Sequence, residues 1–466
     1  MSKTKRILLI HPLQNILSKV DVYPSGALIL MGTMLNNMGH DVKIVHMSSD
    51  RISISELKDI IVDFRPDIAG ITMNTFQTKS SKQASKIIKE IDKNILVVVG
   101  GPHPSSLRSR LFDYFPFVDI VVYGEGEHTF LEIVEGKSLR EIKGLCYDNK
   151  INEQRPRSKD LDYIPMPNLD LAGFNENKFP GPEPVGAHPS MYIMASRGCP
   201  YQCTFCNKSI WGNTTIFRKP DSIIKEIEWL HGKYGIKEIF FQDDTFNLNR
   251  EWAKTIFYNI IDRKLNKDII YKVLFRANEY LVDKELLSLA KEAGVWLIFY
   301  GVESGNQEML NRMKKNITIK EIRRAFELTH KIGIKTIGSF IIGMPGEDET
   351  SIRDTFNLWR EIKPYEVGFS PAIPFPDTEF EKIVIGKKHL FVTDYDEYSP
   401  DKFVARTDKL TRNDLEHYRS KIAIETLINK MVTTPYFKTI IIDFFKNPKV
   451  ISQGLRYLFR LFKNAL

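Results

Sequence analysis

Three of the chain's four cysteines fall in one segment, RGCPYQCTFCN (residues 197–207), spaced as Cys199-x3-Cys203-x2-Cys206. Thiols packed this closely do not make a disulfide framework, which spreads its cysteines to close loops. They point instead to a metal site in a reducing compartment. A cubane iron–sulfur cluster needs a ligand for each of its four irons, so three local thiolates leave one iron open to an exogenous ligand. Zinc is the rival, but a structural zinc site wants four closed ligands and His231 is distant in the chain. The fourth thiol, Cys146 in GLCYDN, reads as a small residue packed in a hairpin, with a relay or fourth-ligand role as the lesser alternative.

Such a loop has to be carried by a scaffold. From Met191 onward, strands read at 191–197, 238–244, 270–277, 295–303, 336–343 and 366–373. Amphipathic helices read near 220–233, 250–264, 283–293, 318–332 and 348–362. Six β/α repeats predict a partial (β/α)6 barrel of TIM type, with the cysteine loop after its first strand, where barrel active sites are built. Other polar residues fall at later strand ends: Asp243 and Asp244 in FFQDDTFNLN, Arg276 in FRAN, and Glu303 and Ser304 in YGVESGNQ. Arg276 suits bidentate capture of a carboxylate. In GSFIIGMPGE, Gly338 and Gly343 permit close backbone approach to a ligand. The plainer alternative makes Asp244 or Ser304 a helix N-cap.

The first 135 or so residues have a different rhythm. Strands read at Ile7–Ile10, Asp41–His46, Ile68–Met73, Ile95–Gly101 and Asp119–Tyr123, and helices at Ser25–His40, Ile54–Phe64 and Ser80–Ile91. Continuous apolar strands joined by helices predict a doubly wound, Rossmann-like parallel sheet, with ligands at the carboxyl ends of its strands. The chain is therefore α/β, with the sheet in residues 1–140. A hairpin around Asn149-Lys150 and a proline-rich linker occupy 141–190, the barrel 191–385, and a small helical C-terminal region 386–466.

The cysteine spacing, with Phe205 directly before the last thiol, resembles the signature of the radical SAM superfamily, and the strand-end motifs match it in order. The resemblance implies that the open iron chelates S-adenosylmethionine, whose cleavage yields a 5′-deoxyadenosyl radical. It also implies that Asp243 and Asp244 lie near that cofactor, that Glu303 accepts ribose or amino hydrogen bonds, and that Gly343 stands on the adenine-contact strand.

Three further stretches, PSGALILMGTMLNNMGHDVKIV, GGPHPSS and VVYGEGEHTF, resemble the cobalamin-binding domain that precedes the barrel in one radical SAM class. Cobalamin is then expected beside the sheet. Gly100 and Gly101 would leave room for its nucleotide tail, Thr72, Thr75 and Ser105 would donate hydrogen bonds, and Gly124 and Gly126 would form the rim. The D-x-H-x-x-G pattern that supplies a lower cobalt ligand elsewhere is absent, since the chain reads HPLQNI after its first strand. His11 and His103 are the nearest histidines by position, and each reads as a hydrogen-bonding loop residue.

The resemblance implies a cobalamin-dependent methyltransferase acting on an unactivated carbon of a small or lipid-like substrate, served by an external donor such as flavodoxin or ferredoxin. Radical cyclisation or rearrangement is the enzymatic alternative, and a corrinoid or S-adenosylmethionine sensor the non-enzymatic one. With 42% hydrophobic and 27% charged residues the chain is globular, and its net charge of +8 is spread along its length. The N-terminus has no signal-peptide pattern, so a cytoplasmic protein is expected, and no RNA-binding appendage is evident. The tail YFKTIIIDFFKNPKVISQGLRYLFRLFKNAL interleaves apolar and basic residues. It reads as helices docked on protein, or as a surface for membrane or hydrophobic substrate.

Overall fold

The computed structural model describes residues 4–14 and 23–433. Its first layer is a seven-stranded sheet. Strands β1 (Arg6–His11), β2 (Asp41–His46), β3 (Ile68–Thr72), β4 (Leu96–Gly100) and β5 (Ile120–Val122) are all parallel. Helices α1 (Gly26–Asn37), α2 (Ile54–Phe64), α3 (Thr78–Ile91), α4 (Pro102–Leu107) and α5 (Glu127–Val134) alternate with them. In β1, Leu8 and Ile10 enter the core under α2 and α3, while Ile7 and Leu9 enter the one under α1 and α5. Burial on both faces is why the strand is an unbroken apolar run.

The hairpin β6 (Leu145–Tyr147) and β7 (Lys150–Ile151) departs from expectation, because it extends this sheet rather than belonging to the connector. β6 pairs antiparallel with β5, bringing Cys146 beside Val121 in a fully buried position. The turn residues are Asp148 and Asn149, at φ 49° and 56°. Two successive left-handed residues form a tight primed turn, one residue earlier than the expected centre.

The second layer is a six-stranded parallel sheet. In spatial order it runs from β8 (Ser190–Ile193) through β11 (Glu238–Phe241), β12 (Ile270–Phe275), β13 (Val295–Glu303) and β14 (Lys335–Ile342) to β15 (Glu366–Pro371). Around it stand α6 (Pro220–Tyr234), α7 (Arg250–Asp262), α8 (Lys284–Glu292), a short α9 (Gln307–Arg312), α10 (Ile319–Ile332) and α11 (Glu349–Ile362). Local chemistry sets their ends: Thr318 and Glu321 form a capping box at the start of α10, and left-handed Gly235 and Gly333 close α6 and α10. This is the expected partial barrel.

The linker seals the amino-terminal end of the barrel. Lys272 and Glu238, both wholly buried, pair at 2.8 Å. Lys272 also donates to the carbonyls of Pro182 and Pro184, and Glu238 accepts from the Gly186 N–H, Ser190 and Trp296. Buried charges are tolerated when paired and hydrogen-bonded in this way.

Two differences bear on the site. The expected first barrel strand, 191–197, stops at Ile193, and Ser196–Arg197 forms a separate strand, β9, paired antiparallel with β10 (Ile216–Phe217). After α12 (Glu379–Gly386), residues 387–411 contain only a short 3-10 turn at Tyr395–Glu397 and an antiparallel bridge of Leu390 with Ala405 before α13 (Arg412–Thr433), where helix was expected throughout. Their Asp-, Ser- and Pro-bearing sequence favours turns. This segment reaches back to the first domain, with Asp396 on Lys82 at 2.7 Å and Tyr395 edge-on to His103 at 4.9 Å. The readings placed on the tail beyond Thr433 lie outside the described residues, among which no helix is long and apolar enough to cross a membrane.

Candidate active site between the sheet and the barrel

The cysteine loop leaves β9 at Gly198, where φ is +93° and a Cβ would collide with the carbonyl oxygen of Thr214. Only glycine fits that approach. Beyond it, Lys208 donates to the carbonyls of Cys199 (2.9 Å) and Tyr201, closing the loop on itself. The Thr204 N–H binds the Met313 carbonyl at 3.0 Å, and the Thr204 carbonyl accepts from Phe380 at 2.9 Å. Asn207 reaches Ser106 of the first domain (2.7 Å) and the Pro376 carbonyl of the barrel (3.0 Å). Phe205 packs with Met309, Met313 and Met344. The loop is thus fastened to both domains and to α12.

Its three thiols face different neighbours. Cys199 Sγ lies 3.7 Å from Thr245 Oγ1, and Cys203 Sγ lies 4.0 Å from Arg276 Nη1, while Cys206 is exposed. Among the described residues no three His, Cys, Asp or Glu side chains are already gathered as a metal-binding group. Protein metal sites are commonly completed by the metal itself. Three thiols on one loop, with an arginine N–H beside one of them, suit an iron–sulfur cluster by the chemistry of the donor set.

The strand-end residues divide into those facing the loop and those holding it. Asp243 is buried, and its Oδ1 accepts from the backbone N–H groups of Ala195 (2.7 Å) and Ser196 (3.0 Å). Burial pushes its carboxyl up to about 7 against the pull of those two donors. Asp244 takes a hydrogen bond from the Gly198 backbone. Arg276 lies with its guanidinium 3.6 Å from the Tyr201 ring centroid and donates to Asn278 at 2.6 Å, leaving Nη2 buried without a partner. That free group is the one available to a carboxylate.

Glu303 is in the left-handed region at φ 66°, at a bulge in β13, and pairs with Lys315 at 2.6 Å. Strain of that kind persists only where the surroundings enforce it, and it concentrates at functional positions. Ser304 turns to Thr355 of α11 (3.2 Å) and also accepts from the Asn306 N–H. The N-cap of α9 is Asn306, so neither Ser304 nor Asp244 starts a helix. Gly343 sits at φ +98°, and its N–H is held by Glu347 at 2.5 Å. Gly338 faces Phe326 and Pro364 on the outer side.

A cavity of about 230 Å³ lies between the carboxyl ends of the first sheet and the start of the barrel. Thr72, Gly100, Gly101, Gly124 and Gly126 line it from the sheet, and Met191, Tyr192 and Trp211 from the barrel side. A Cβ on Gly100 would rest in ordinary contact with Val122 at 3.7 Å, and one on Gly124 would meet nothing within 4 Å, so neither glycine is crowded by the protein on the cavity side. That is the cradle a bulky ligand needs.

Gly101 differs from them. Its φ is +112° and a Cβ would stand 2.6 Å from the Met73 carbonyl oxygen, so the protein's own backbone requires the glycine. Thr75 and Ser105 are used internally, Thr75 on His103 (3.1 Å) and Ser105 on the Gly124 N–H (3.1 Å). His103 is buried against Tyr395, and burial holds its ring down at about 3. His11 bonds to Gln77 at 3.1 Å.

Sequence reasoning passed over the groups that join the two domains. Arg197 on β9 pairs with Glu127 at 2.8 Å and with Glu125 at 3.7 Å. Arg157, in the connector, binds the carbonyls of Trp211 (2.7 Å) and Arg197 (3.1 Å). A second pocket, of about 420 Å³, lies over Cys203 and Cys206, and Ile210 lines both cavities. The glutamates stand in the GEGE turn and the arginine directly before the cysteine motif, but only the fold brings them together.

A doubly wound domain whose open cleft faces a three-cysteine loop on a partial barrel defines a two-cofactor radical enzyme. Residues 193–358 match the family model "Radical SAM superfamily", and residues 15–134 match "B12 binding domain". Across its full length and all of the relative, the chain is 31% identical to "Uncharacterized methyltransferase PH0819" of Pyrococcus horikoshii. It is 25% identical to the anaerobic magnesium-protoporphyrin IX monomethyl ester cyclase of Cereibacter sphaeroides, over 84% of this chain and 65% of that protein. Its fold resembles that of the cobalamin-dependent S-adenosylmethionine radical enzyme OxsB with aqua-cobalamin and S-adenosylmethionine bound. There the TM-score is 0.72 at 17% identity, covering 97% of this chain and 72% of that one.

The chain belongs to the radical SAM superfamily, in the class that carries an N-terminal B12-binding domain. It is an enzyme whose cofactors are a [4Fe–4S] cluster, S-adenosylmethionine and cobalamin.

Proposed function

We propose that this enzyme C-methylates an unactivated carbon of a small or hydrophobic substrate. When bound, the cofactors supply a 5′-deoxyadenosyl radical to remove hydrogen and a methyl group to replace it. Cys199, Cys203 and Cys206 hold the cluster, and Phe205 wedges their loop against the methionines at the barrel mouth. Arg276, through its free Nη2, takes the carboxylate of S-adenosylmethionine. Glu303, held by Lys315, takes its ribose or amino group, and the backbone at Gly343 meets the adenine. Asp243 and Asp244 position the loop through its backbone, and Ser304 sets the strand end from behind. Thr72, Gly100, Gly124 and Gly126 line the corrinoid's place, with Gly101, Thr75 and Ser105 shaping its wall.

The observation that carries this reading is the adjacency of the two cavities, which share Ile210. A group held in the sheet cleft would then neighbour the loop where the radical would arise. The stacked pair Phe240–Phe299 (5.0 Å) on the inner side of the barrel strands favours an apolar substrate. An external one-electron donor completes the system. Ring closure without methyl transfer is the second reading, favoured by the similarity to the cyclase.

One experiment separates the two. The cluster- and cobalamin-loaded protein is reduced anaerobically with S-adenosylmethionine carrying a deuterated methyl group, and the corrinoid is analysed by mass spectrometry. Label on the corrinoid supports methyl transfer. Formation of 5′-deoxyadenosine with an unlabelled corrinoid favours cyclisation.

A further inference from the structure

The two walls of the inter-domain cavity differ in kind. The sheet presents chiefly glycine and aliphatic residues, with Glu125 and Glu127 at its rim. The barrel presents Arg197 on β9 and Arg218 directly after β10, which are only 6% and 4% exposed. Arg197 pairs with Glu127 through Nη2 and with Glu125 through Nη1 at 3.7 Å, yet its Nε has no hydrogen-bond partner. Arg218 pairs with Glu226 at 2.5 Å and donates to the Met194 carbonyl at 3.3 Å, but its Nε has none.

A buried guanidinium N–H without an acceptor is destabilising, and native structures rarely keep one unless something else satisfies it. Here two arginines on one wall each hold one such nitrogen, Nε. An occupant with acceptor oxygens along its barrel-facing edge would satisfy them. Each arginine is already matched by a carboxylate, so the wall offers little net positive charge to an anion. It suits a neutral group that both accepts and donates, since a carboxamide oxygen can take the arginine N–H while its amide nitrogen meets Glu226 or Glu125.

We propose that Arg197 and Arg218 bind the carboxamide edge of the corrin ring, so that barrel and sheet close on the cofactor from opposite sides. The inference rests on the reading that the corrinoid occupies this cavity. Arg197 stands two residues before Cys199, so a single side chain then joins the corrinoid's edge to the start of the cluster loop.

The test is equilibrium binding to the cluster-loaded full-length protein and its variants Arg197→Gln, Arg218→Gln and Gly100→Leu. Two probes are used: hydroxocobalamin, and dicyanocobinamide, which keeps the ring carboxamides and lacks the nucleotide. Both arginine variants should bind roughly tenfold or more weakly, by a similar factor for each probe, as expected for losing hydrogen bonds from a charged donor. Wild-type affinity in either variant overturns the proposal. So does a penalty confined to hydroxocobalamin, which would place the arginines on the nucleotide phosphate. If Gly100→Leu alone loses binding, the cavity assignment stands and the arginine contact is refuted. If the wild-type protein binds neither probe, the assignment itself fails and the arginine contact with it. Iron content and near-ultraviolet dichroism establish folding. Should a Gln variant not fold, the Lys variants, which keep the charge for Glu127 and Glu226 but lose the fork, are read by the same criteria.

Discussion

The carboxylate of Asp243, two residues past β11, accepts the backbone N–H of Ala195 at 2.7 Å, where the first barrel strand gives way to the cysteine loop. The same oxygen accepts from Ser196 at 3.0 Å, so one side chain replaces the lost strand pairing of two residues. Replacing Asp243 with Ala strands two buried donors, at a cost of about 1–3 kcal/mol each. Asp243→Asn keeps the accepting oxygen. We expect Asp243→Ala to lose most of its reconstituted iron and Asp243→Asn to keep it, measured as iron per chain with the melting temperature alongside. Full iron retention in the alanine variant would show that the loop holds its shape without this latch.

Neighbouring glycines should fail in different ways. Gly100→Leu projects into the cavity and should abolish corrinoid binding at nearly unchanged stability. Gly101→Ala must adopt φ 112°, ψ −174°, a region essentially reserved for glycine, and meets the Met73 carbonyl as well. It should lose at least about 1–3 kcal/mol of stability. The sequence alone assigns Gly100 and Gly101 one role, room for the corrinoid's nucleotide tail, and Met73 is the reason that Gly100 serves better as its test. Denaturation midpoints and corrinoid titration of the two variants check the distinction.

Arg276 Nη1 lies 4.0 Å from Cys203 Sγ, and the guanidinium is backed by Tyr201. A positively charged donor at a cluster thiolate favours the reduced state, because hydrogen bonds and charge near the sulfurs raise the potential. Arg276→Gln should therefore move the cluster midpoint to a more negative value, and should also weaken S-adenosylmethionine binding. A redox titration followed by electron paramagnetic resonance would read the first effect, and an unmoved midpoint would remove Arg276 from the cluster's surroundings.

Glu347 is wholly buried and holds the Gly343 N–H at 2.5 Å, while its other oxygen has no partner. Burial pushes its carboxyl up from 4.5 to about 8, so the folded state retains a proton that the unfolded chain releases. Its contribution to stability is then fully present below pH 4.5 and is lost progressively as the pH rises towards 8. Glu347→Gln cannot ionise. The stability of wild type relative to Glu347→Gln should fall between pH 5 and pH 8 in urea denaturation, whereas a constant difference would mean that the carboxyl is ionised throughout.

The four thiols should separate cleanly. Cys146 is buried within the apolar core under α2 and α3, and burial raises its thiol to about 11, which leaves it inert. Cys146→Ala should keep reductive cleavage of S-adenosylmethionine, and alanine at Cys199, Cys203 or Cys206 should abolish it. Chromatographic detection of 5′-deoxyadenosine is the measurement.

Much of the architecture was legible because it follows from local rules. Strand β2 (Asp41–His46) and helix α2 (Ile54–Phe64) fall where the apolar periodicity put them, since the strand's apolar run and a Ser53–Glu56 capping box are written locally. The break after Ile193 was not legible. Residues 190–197 carry a continuous strand pattern, and the Ala195 N–H goes instead to the carboxylate of Asp243, almost fifty residues on. The turn-forming run 387–411 was taken for helix because its pattern was judged with the helices around it.

By itself, the sequence determined the class of chemistry and the two cofactor modules, because thiol spacing, glycine placement and strand-end motifs are short-range patterns with few other uses. The tertiary structure alone decided which motif residues face a ligand and which serve the protein. Gly100 opens on the cavity while Gly101 yields to Met73, and Thr75 is used by His103. It also decided that Glu125 and Glu127 of one domain meet Arg197 of the other. Such pairings join residues about seventy positions apart. Their energy depends on burial and distance in the folded chain, and neither quantity is encoded at the separate positions in the sequence.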